Sequence, residues 1–486
     1  CLSGFSRRQG YQVSDYRSKL HECWDRMKCY LTYAAQIGSF SFKCIKNRRV
    51  IFKNLKPSLE KKSQAKKRVV IRSWVTNNAF DQSGQFRDRN FGNLPQWLHS
   101  KGYEVWILPM FFNLLKDMDN VCARMRDCKQ LFLIPEHYLE FSDYVKCLYN
   151  GYKVLSTRVT GVNLNGEDIS LLVNEALREQ GLDVNMCMLN LSCHMLKRLK
   201  QSAFDVDAFY YAFECNAPEN QFVLSCRKYY PEADIFGFQH TGFLPNQLTY
   251  HLALGERECH PLPDKVICSG PIYRDLYTKA RFPSEILEDG PNLRFEAASL
   301  GNNGNGKAKE GLERKEKMLL LPLTFSYDLA FELFVKVRDA LDGLDGYKMY
   351  IRTHPLLEKK TLQDFLEKAH IDSYVFADEG VLQEWLPKVC AVISTGGTIT
   401  ILETVSFGAP VIRVIPDNTF YYDPFPTSSA SDYPLDPIHT ALEIRQQLQF
   451  IDRMGTGREE VFGGIAKEVL NGYFPRFDEE RLKVFL

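Results

Sequence analysis

Along most of this chain, short apolar runs alternate with longer stretches whose apolar positions recur at helical spacing. Residues 69–71, 105–108, 131–134, 208–213, 235–238 and 265–268 each read as a strand buried on both faces. A glycine-containing loop and a helix from Leu94 follow the first of them. Strand–helix–strand alternation of this kind predicts a parallel sheet covered by helices. A second series starts at residue 318, with strands expected at 318–321, 348–351, 374–376, 391–393 and 411–414. Residues 301–317, rich in Gly, Asn, Lys and Glu, read as a linker or exposed loop. The pattern therefore predicts two αβ domains, at 66–300 and 318–471, with a tail at 472–486 that crosses back to the first. Residues 1–65 precede them as a helical, basic extension, with one or two helices expected before residue 45.

Composition narrows the function. With 61 Lys and Arg against 60 Asp and Glu, the chain lacks the basic excess of a nucleic-acid binder. Its 14 cysteines include no CxxC pair, and Cys268 and Cys390 sit in strand-like apolar runs, so they read as buried free thiols of a reducing cytoplasm. No apolar run reaches the roughly 20 residues that span a bilayer. The chain opens on Cys1 and not Met, so further residues upstream are expected. Lys46, Arg48, Arg49, Lys53, Lys56, Lys61, Lys62, Lys66, Lys67 and Arg68 form a basic segment. It reads either as a contact with an anionic membrane surface, at about 1 kcal/mol per basic residue, or as a solvated linker.

The strongest chemical signal is a turn. After the strand ending at Ile393, Ser394, Thr395, Gly396, Gly397 and Thr398 lead into a helix that Gly408 ends. Amides and hydroxyls at a helix start bind anions, and paired glycines let a phosphate approach the backbone. Glu403 on that helix is placed to reach a ribose hydroxyl. Two strands earlier, Arg352-Thr353-His354-Pro355 puts an imidazole and a guanidinium at the carboxyl end of a strand, where open αβ sheets bind ligands. Thr324 and Ser326 follow the first strand of the second domain and read equally as ligand contacts or as a helix N-cap.

The first domain supplies the other wall. Asp88, between Arg87 and Arg89, is expected to be ionised and to act as a general base, with the arginines holding an anionic group. Glu214, at a strand end, and Glu219, at a helix start, compete for that role. Gln239, His240 and Thr241 follow the next strand as cleft candidates. The Asp117/Asp119 and Asp205/Asp207 triplets read as solvated, so no metal site is expected, and no Walker loop, GxSxG or HExxH motif is present.

His354-Pro355 followed by Ser394-Thr395 resembles the His-Pro and Ser-Ser or Ser-Thr motifs of bacterial GT-B enzymes that use CMP-activated sugars: sialyltransferases, polysialyltransferases and capsule Kdo transferases. Arg87-Asp88-Arg89-Asn90-Phe91-Gly92, Gly237-Phe238-Gln239-His240-Thr241 and Pro263-Asp264-Lys265 resemble, in patches from about residue 69 to 470, surface carbohydrate biosynthesis proteins of O-antigen clusters. The resemblance implies two Rossmann-like domains facing a central cleft. It gives His354, Ser394 and Thr395 the donor phosphate, and it leaves the base unassigned. The expected function is metal-independent, inverting transfer of a sialic-like or Kdo-like sugar from a CMP donor to a surface-glycan or glycolipid acceptor, without a cofactor. The expected location is the cytoplasm, peripherally at the inner membrane. The alternatives are a UDP-sugar transferase or UDP-sugar 2-epimerase, a CDP-polyol phosphotransferase, or a non-catalytic glycan-assembly scaffold.

Overall fold

The structure, a computed structural model, describes residues 19–56, 67–75, 79–81, 83–111, 118–243, 247–294, 317–354, 356–380, 382–395, 399–417, 419, 433–455, 457–475 and 477–486. Asp117, Pro355, Gly396, Gly397, Thr398, the basic positions Lys61, Lys62 and Lys66, and linker positions 301–316 lie outside these residues.

A single long helix, α1 (Lys19–Asn54), opens the described chain. It stands where one or two shorter helices were expected, and it takes in Lys46, Arg48, Arg49 and Lys53 of the basic segment. The first sheet then begins with β1 (Lys67–Val75), α2 (Leu94–Ser100), β2 (Tyr103–Phe111), α3 (Met118–Asp127) and β3 (Leu131–Phe132). The centre of β1 is buried on both faces, as its continuous apolar run requires. An excursion follows that the strand pattern did not disclose: α4 (Phe141–Ser156), the hairpin β4 (Asn163–Leu164) and β5 (Glu167–Asp168), α5 (Ser170–Leu182) and α6 (Val184–Gln201). The sheet resumes with β6 (Ala208–Ala212), α7 (Ala217–Tyr229), β7 (Asp234–Phe238), β8 (Lys265–Cys268), α8 (Pro271–Lys279) and a short edge strand, β9 (Leu287–Asp289).

The second sheet contains β10 (Lys317–Pro322), α9 (Tyr327–Leu341), β11 (Tyr347–Arg352), α10 (Lys359–Lys368), β12 (Tyr374–Phe376), β13 (Ala391–Thr395), α11 (Ile399–Ser406) and β14 (Val411–Val414). Helices α12 (Ala441–Met454), α13 (Gly457–Tyr473) and α14 (Glu479–Leu482) close the chain. Strand order is β3-β2-β1-β6-β7-β8-β9 in the first sheet and β12-β11-β10-β13-β14 in the second, every pairing parallel. Each order reverses once, beside β1 and beside β10. Those two switch points are where strand-end loops diverge and leave room for a ligand.

The last residues pack on the first sheet. Tyr473 meets Tyr273 edge-on at 5.6 Å, and the Tyr210 hydroxyl donates to the Phe485 carbonyl at 2.6 Å. Gly270 and Gly472 make this approach feasible. A Cβ on Gly270 would lie 2.5 Å from the Gly472 carbonyl oxygen, and one on Gly472 would lie 2.5 Å from Ile272.

One carboxyl in the first domain stands apart from any ligand chemistry. Glu136 is buried between α1 and α4 with one oxygen lacking a partner, near Arg48, Tyr144 and Cys122. Burial pushes it up to about 7, and the Arg48 charge offsets this only in part. A folded value above the unfolded one means that the native state holds the proton more tightly. Its stability contribution is therefore full below about pH 4.5 and is lost as pH rises through about 7. Glu136→Gln should raise the melting temperature at pH 8 by the equivalent of about 1–3 kcal/mol and leave it nearly unchanged at pH 4.5, as read by circular dichroism melts.

Candidate active site

The strand-end loops of the first sheet gather a charged wall. After β1, residues 86–90 alternate: Phe86, Asp88 and Asn90 turn inward and Arg87 and Arg89 outward. Asp88 Oδ1 accepts from the amides of Asn90 and Phe91 at 2.8 and 2.9 Å, which makes it the residue that shapes the loop. The expectation that its flanking arginines keep it ionised is corrected here. Its carboxyl is raised, mainly by burial, and the groups that favour its charge are the Phe91 and Asn90 amides, Ser73 and His240. Arg87 lies within electrostatic reach of Asp81, and Arg89 within that of His354 and Glu403.

Gly92 explains why this loop ends as it does. Its φ is +52°, and a Cβ there would sit 2.3 Å from the Leu293 carbonyl oxygen. Only a glycine lets the loop close onto residue 293 and bring Arg89 beside Arg294. Arg294 is the cleft residue that sequence reasoning missed. It follows the short edge strand β9 with no motif around it, and only folding carries it to the site. Its guanidinium donates to the His240 carbonyl at 3.3 Å. Burial and the neighbouring Arg89 push its pKa down to about 10, against the pull of Glu403 and Glu214.

The turn after β6 presents Glu214, and its two glutamates separate in role. Glu219 Oε2 accepts from the amides of Glu214 and Asn216 at 2.8 and 3.3 Å, so it caps α7 and braces the turn. Burial pushes it up to about 8. Glu214 keeps about a third of its side chain exposed and faces His240, with Oε1 3.3 Å from Nε2. Burial works to raise its carboxyl, but His240, Arg294 and Asn216 outweigh that and hold it below the usual value. Between them Cys215 adopts φ +59°, and its Sγ lies 3.2 Å from His260 Nε2, whose Nδ1 is 3.1 Å from Glu256. That chain of contacts anchors the strained turn to the following loop.

After β7, His240 is buried, with Nδ1 lacking a hydrogen-bond partner. Its neighbours are tied up in the protein. Gln239 accepts from the Ser269 amide and hydroxyl at 3.0 and 2.6 Å and donates to the Thr241 carbonyl. The Thr241 hydroxyl lies 3.0 Å from that of Tyr250.

The second sheet faces these groups. His354 Nδ1 accepts from the Leu356 amide at 3.2 Å, which leaves the ring proton on Nε2 as a donor. Burial, then the Arg89 charge, lowers its pKa, so the ring is neutral at pH 7. Arg352 spends its guanidinium on the carbonyls of Ala377 and Gly380 at 3.2 and 2.8 Å, and so supplies charge more than contacts. Strand β13 continues through Thr395, two residues past the expected end. Ser394 and Thr395 are thus buried strand residues, and the Ser394 hydroxyl donates to the Thr395 carbonyl at 3.1 Å. Ser326 takes the N-cap of α9, accepting from the Leu329 amide at 3.5 Å, while the Thr324 hydroxyl is buried without a partner.

Glu403 on α11 completes the facing wall. Gln383 donates to its carboxylate. Burial pushes it up to about 7 against the pull of Arg294, Arg352 and Arg89. Two of those arginines come from the first domain, so this carboxyl marks where the domains meet. The arrangement can hold an anion between Arg89, Arg294 and His354, with Glu214 and His240 at its side. Among the described residues no group of three or more metal-ligating side chains converges.

No protein-family model matches the chain, and no curated protein matches it in sequence. Among solved structures it is similar to a point mutant of S. aureus TarM in complex with fondaparinux, alpha-GlcNAc-glycerol and UDP. That match has a TM-score of 0.51 and 12% identity, over 86% of this chain and 99% of that one. It is also similar to S. aureus MnaA with UDP, at TM-score 0.48 and 12% identity over 86% and 95% of the two chains. The UDP-GlcNAc 2-epimerase of Neisseria meningitidis bound to UDP-GlcNAc gives 0.46 and 12% over 83% and 98%. The TarM likeness carries the fold: two Rossmann-like domains in the GT-B arrangement.

Gly92→Ala should cost about 1–3 kcal/mol of stability in a thermal melt, because the loop must lift from Leu293. By separating Arg89 from Arg294, it should also weaken binding of inorganic pyrophosphate, a probe for an anion held between them, roughly tenfold in calorimetry, about 1.4 kcal/mol.

Proposed function

We propose that this chain is a glycosyltransferase that takes a sugar from a uridine diphosphate carrier and transfers it, with inversion, to a hydroxyl of a glycan or glycolipid. The observation that carries the reading is that Arg89 and Arg294 of one domain, with Glu214 and His240 beside Arg294, meet Glu403 of the other, where Arg89 also reaches His354. In this reading the acceptor hydroxyl gives its proton to Glu214, the accessible carboxylate of the three candidates, and its oxygen bonds to the anomeric carbon. The bond from that carbon to the nucleotide's terminal phosphate breaks. Arg294, Arg89 and the His354 Nε2–H take up the charge that develops on the phosphate. Asp88 stands behind His240 as a support, and Glu403 is assigned the ribose. The sequence Ser394-Thr395-Gly396-Gly397-Thr398 is assigned the phosphate end of the nucleotide, with Ser394 and Thr395 contributing from the buried end of the strand, and Thr324 is offered as a further contact.

Uridine is favoured because the TarM mutant, the solved neighbour with the highest of these similarities, is named with UDP. The second reading is a CMP-linked sialic-like or Kdo-like donor, favoured by His354-Pro355 with Ser394-Thr395. A thermal-shift series separates them. UDP at a hundredfold excess over its dissociation constant should add about 2.7 kcal/mol, and a larger shift with CMP at the same concentration would promote the second reading.

Glu214→Gln should cut transfer roughly 100-fold while leaving the UDP shift intact, the usual scale for losing general-base assistance. His354→Ala should lower kcat strongly without loss of a cooperative melt. Because the cleft supplies its own cations, transfer should persist in EDTA. Release of a free C2-epimerised sugar nucleotide in place of a glycosylated acceptor would identify an epimerase and overturn the transferase reading.

A further inference from the structure

Helix α1 is apolar on two opposite sides. Tyr33, Phe40, Cys44 and Ile51 turn into the protein, while Trp24, Met27, Leu31, Phe42, Ile45 and Phe52 lie exposed. Their spacing of three, four and seven residues puts the exposed set on one face of the helix. Helix α4 lies alongside, running the other way: Tyr30 and Tyr33 meet Tyr152, Arg48 donates to the Leu139 carbonyl, and Phe52 packs on His137. It adds a second exposed stripe of Phe141, Val145 and Tyr149, and Phe141 is 81% exposed. Isolated exposed apolar residues need no explanation, but two adjacent stripes along a 36-residue helix, about 54 Å at 1.5 Å per residue, do.

The charges beside the stripe select the occupant. Lys43, Lys46, Arg48, Arg49, Lys53 and Lys56 fall between residues 39 and 56, where no Asp or Glu occurs. A second copy of the chain would set this basic face against itself, and like charge opposes that pairing. An anionic lipid surface satisfies both features, taking the apolar side chains at the headgroup–acyl boundary and the cations at the phosphates. We propose that the exposed face of α1 and α4 docks this protein on an anionic bilayer, with α1 lying in the plane of the surface. No helix among the described residues is long and apolar enough to cross a membrane, which fits a surface-lying helix. The proposal extends the basic segment's expected contact by naming an apolar face, and it is independent of which sugar nucleotide the cleft binds.

Sedimentation of the full chain with phosphatidylglycerol–phosphatidylcholine vesicles, against pure phosphatidylcholine vesicles, tests this without donor or acceptor. Binding should be at least tenfold tighter to the anionic vesicles, should weaken as salt rises, and should shift Trp24 emission to shorter wavelength, a shift absent in Trp24→Phe. Phe42→Ser with Ile45→Ser should reduce binding tenfold or more. Lys46→Gln with Arg49→Gln, which leaves the ion pair of Lys53 with Asp119 in place, should reduce the preference for anionic lipid severalfold. No binding to either vesicle, or equal binding to both, would overturn the proposal. So would a dimer in sedimentation velocity that Phe42→Ser with Ile45→Ser dissolves while vesicle binding is absent.

Discussion

Three guanidinium groups converge on one buried carboxyl where the domains meet, and the organisation of the cleft follows from that charge imbalance. Glu403 is pushed up to about 7 by burial, so near neutral pH it only partly compensates Arg294, Arg352 and Arg89. Arg294 in turn is pushed down to about 10. Surplus positive charge at a buried position is costly without a compensating anion, and low dielectric strengthens the attraction to one. The same imbalance spans the two domains, so an anion placed there would favour their approach.

Around that centre, polar groups divide between holding and acting. Gln239, Glu219, Arg352 and Ser326 have their hydrogen-bonding capacity taken up by backbone or neighbouring side chains, and so fix the strand-end loops. His240 Nδ1 and the Thr324 hydroxyl stay buried and unpartnered. Buried polar atoms are normally satisfied, so these are the groups whose partner a ligand would supply. Asp88 belongs to both classes: its Oδ1 accepts from two amides, and its Oδ2 is buried without a partner.

The helical excursion from residue 141 to 201 and the long α1 form a layer outside the two sheets. They bury one face each against the first domain and leave the other to solvent. Their exposed aromatic and aliphatic side chains serve neither the core nor the cleft, so the outer layer has its own physical logic, set by what lies beside the protein.

The sequence by itself determined the sheets. Short apolar runs bounded by polar turns and alternating with helical stretches favour the strands of a helix-covered parallel sheet, and the strands from residues 208, 265, 374 and 411 begin where that pattern places them. It also determined that His354 stands at a strand end, because Pro355 cannot extend the strand. Tertiary structure alone decided which charges meet. Whether Asp88, Glu214 or Glu219 faces the cleft depends on which carboxylate the turn amides capture, and that is settled by backbone geometry at Cys215 and Gly92. Arg294 lies about 200 residues from Arg89 in the chain, with no motif around it. Only the packing of Gly92 on Leu293 makes them neighbours. Local pattern specifies which face of an element is buried. The pairing of polar groups brought together from distant loops depends on close packing and on the desolvation that packing imposes, and neither is written at any one position.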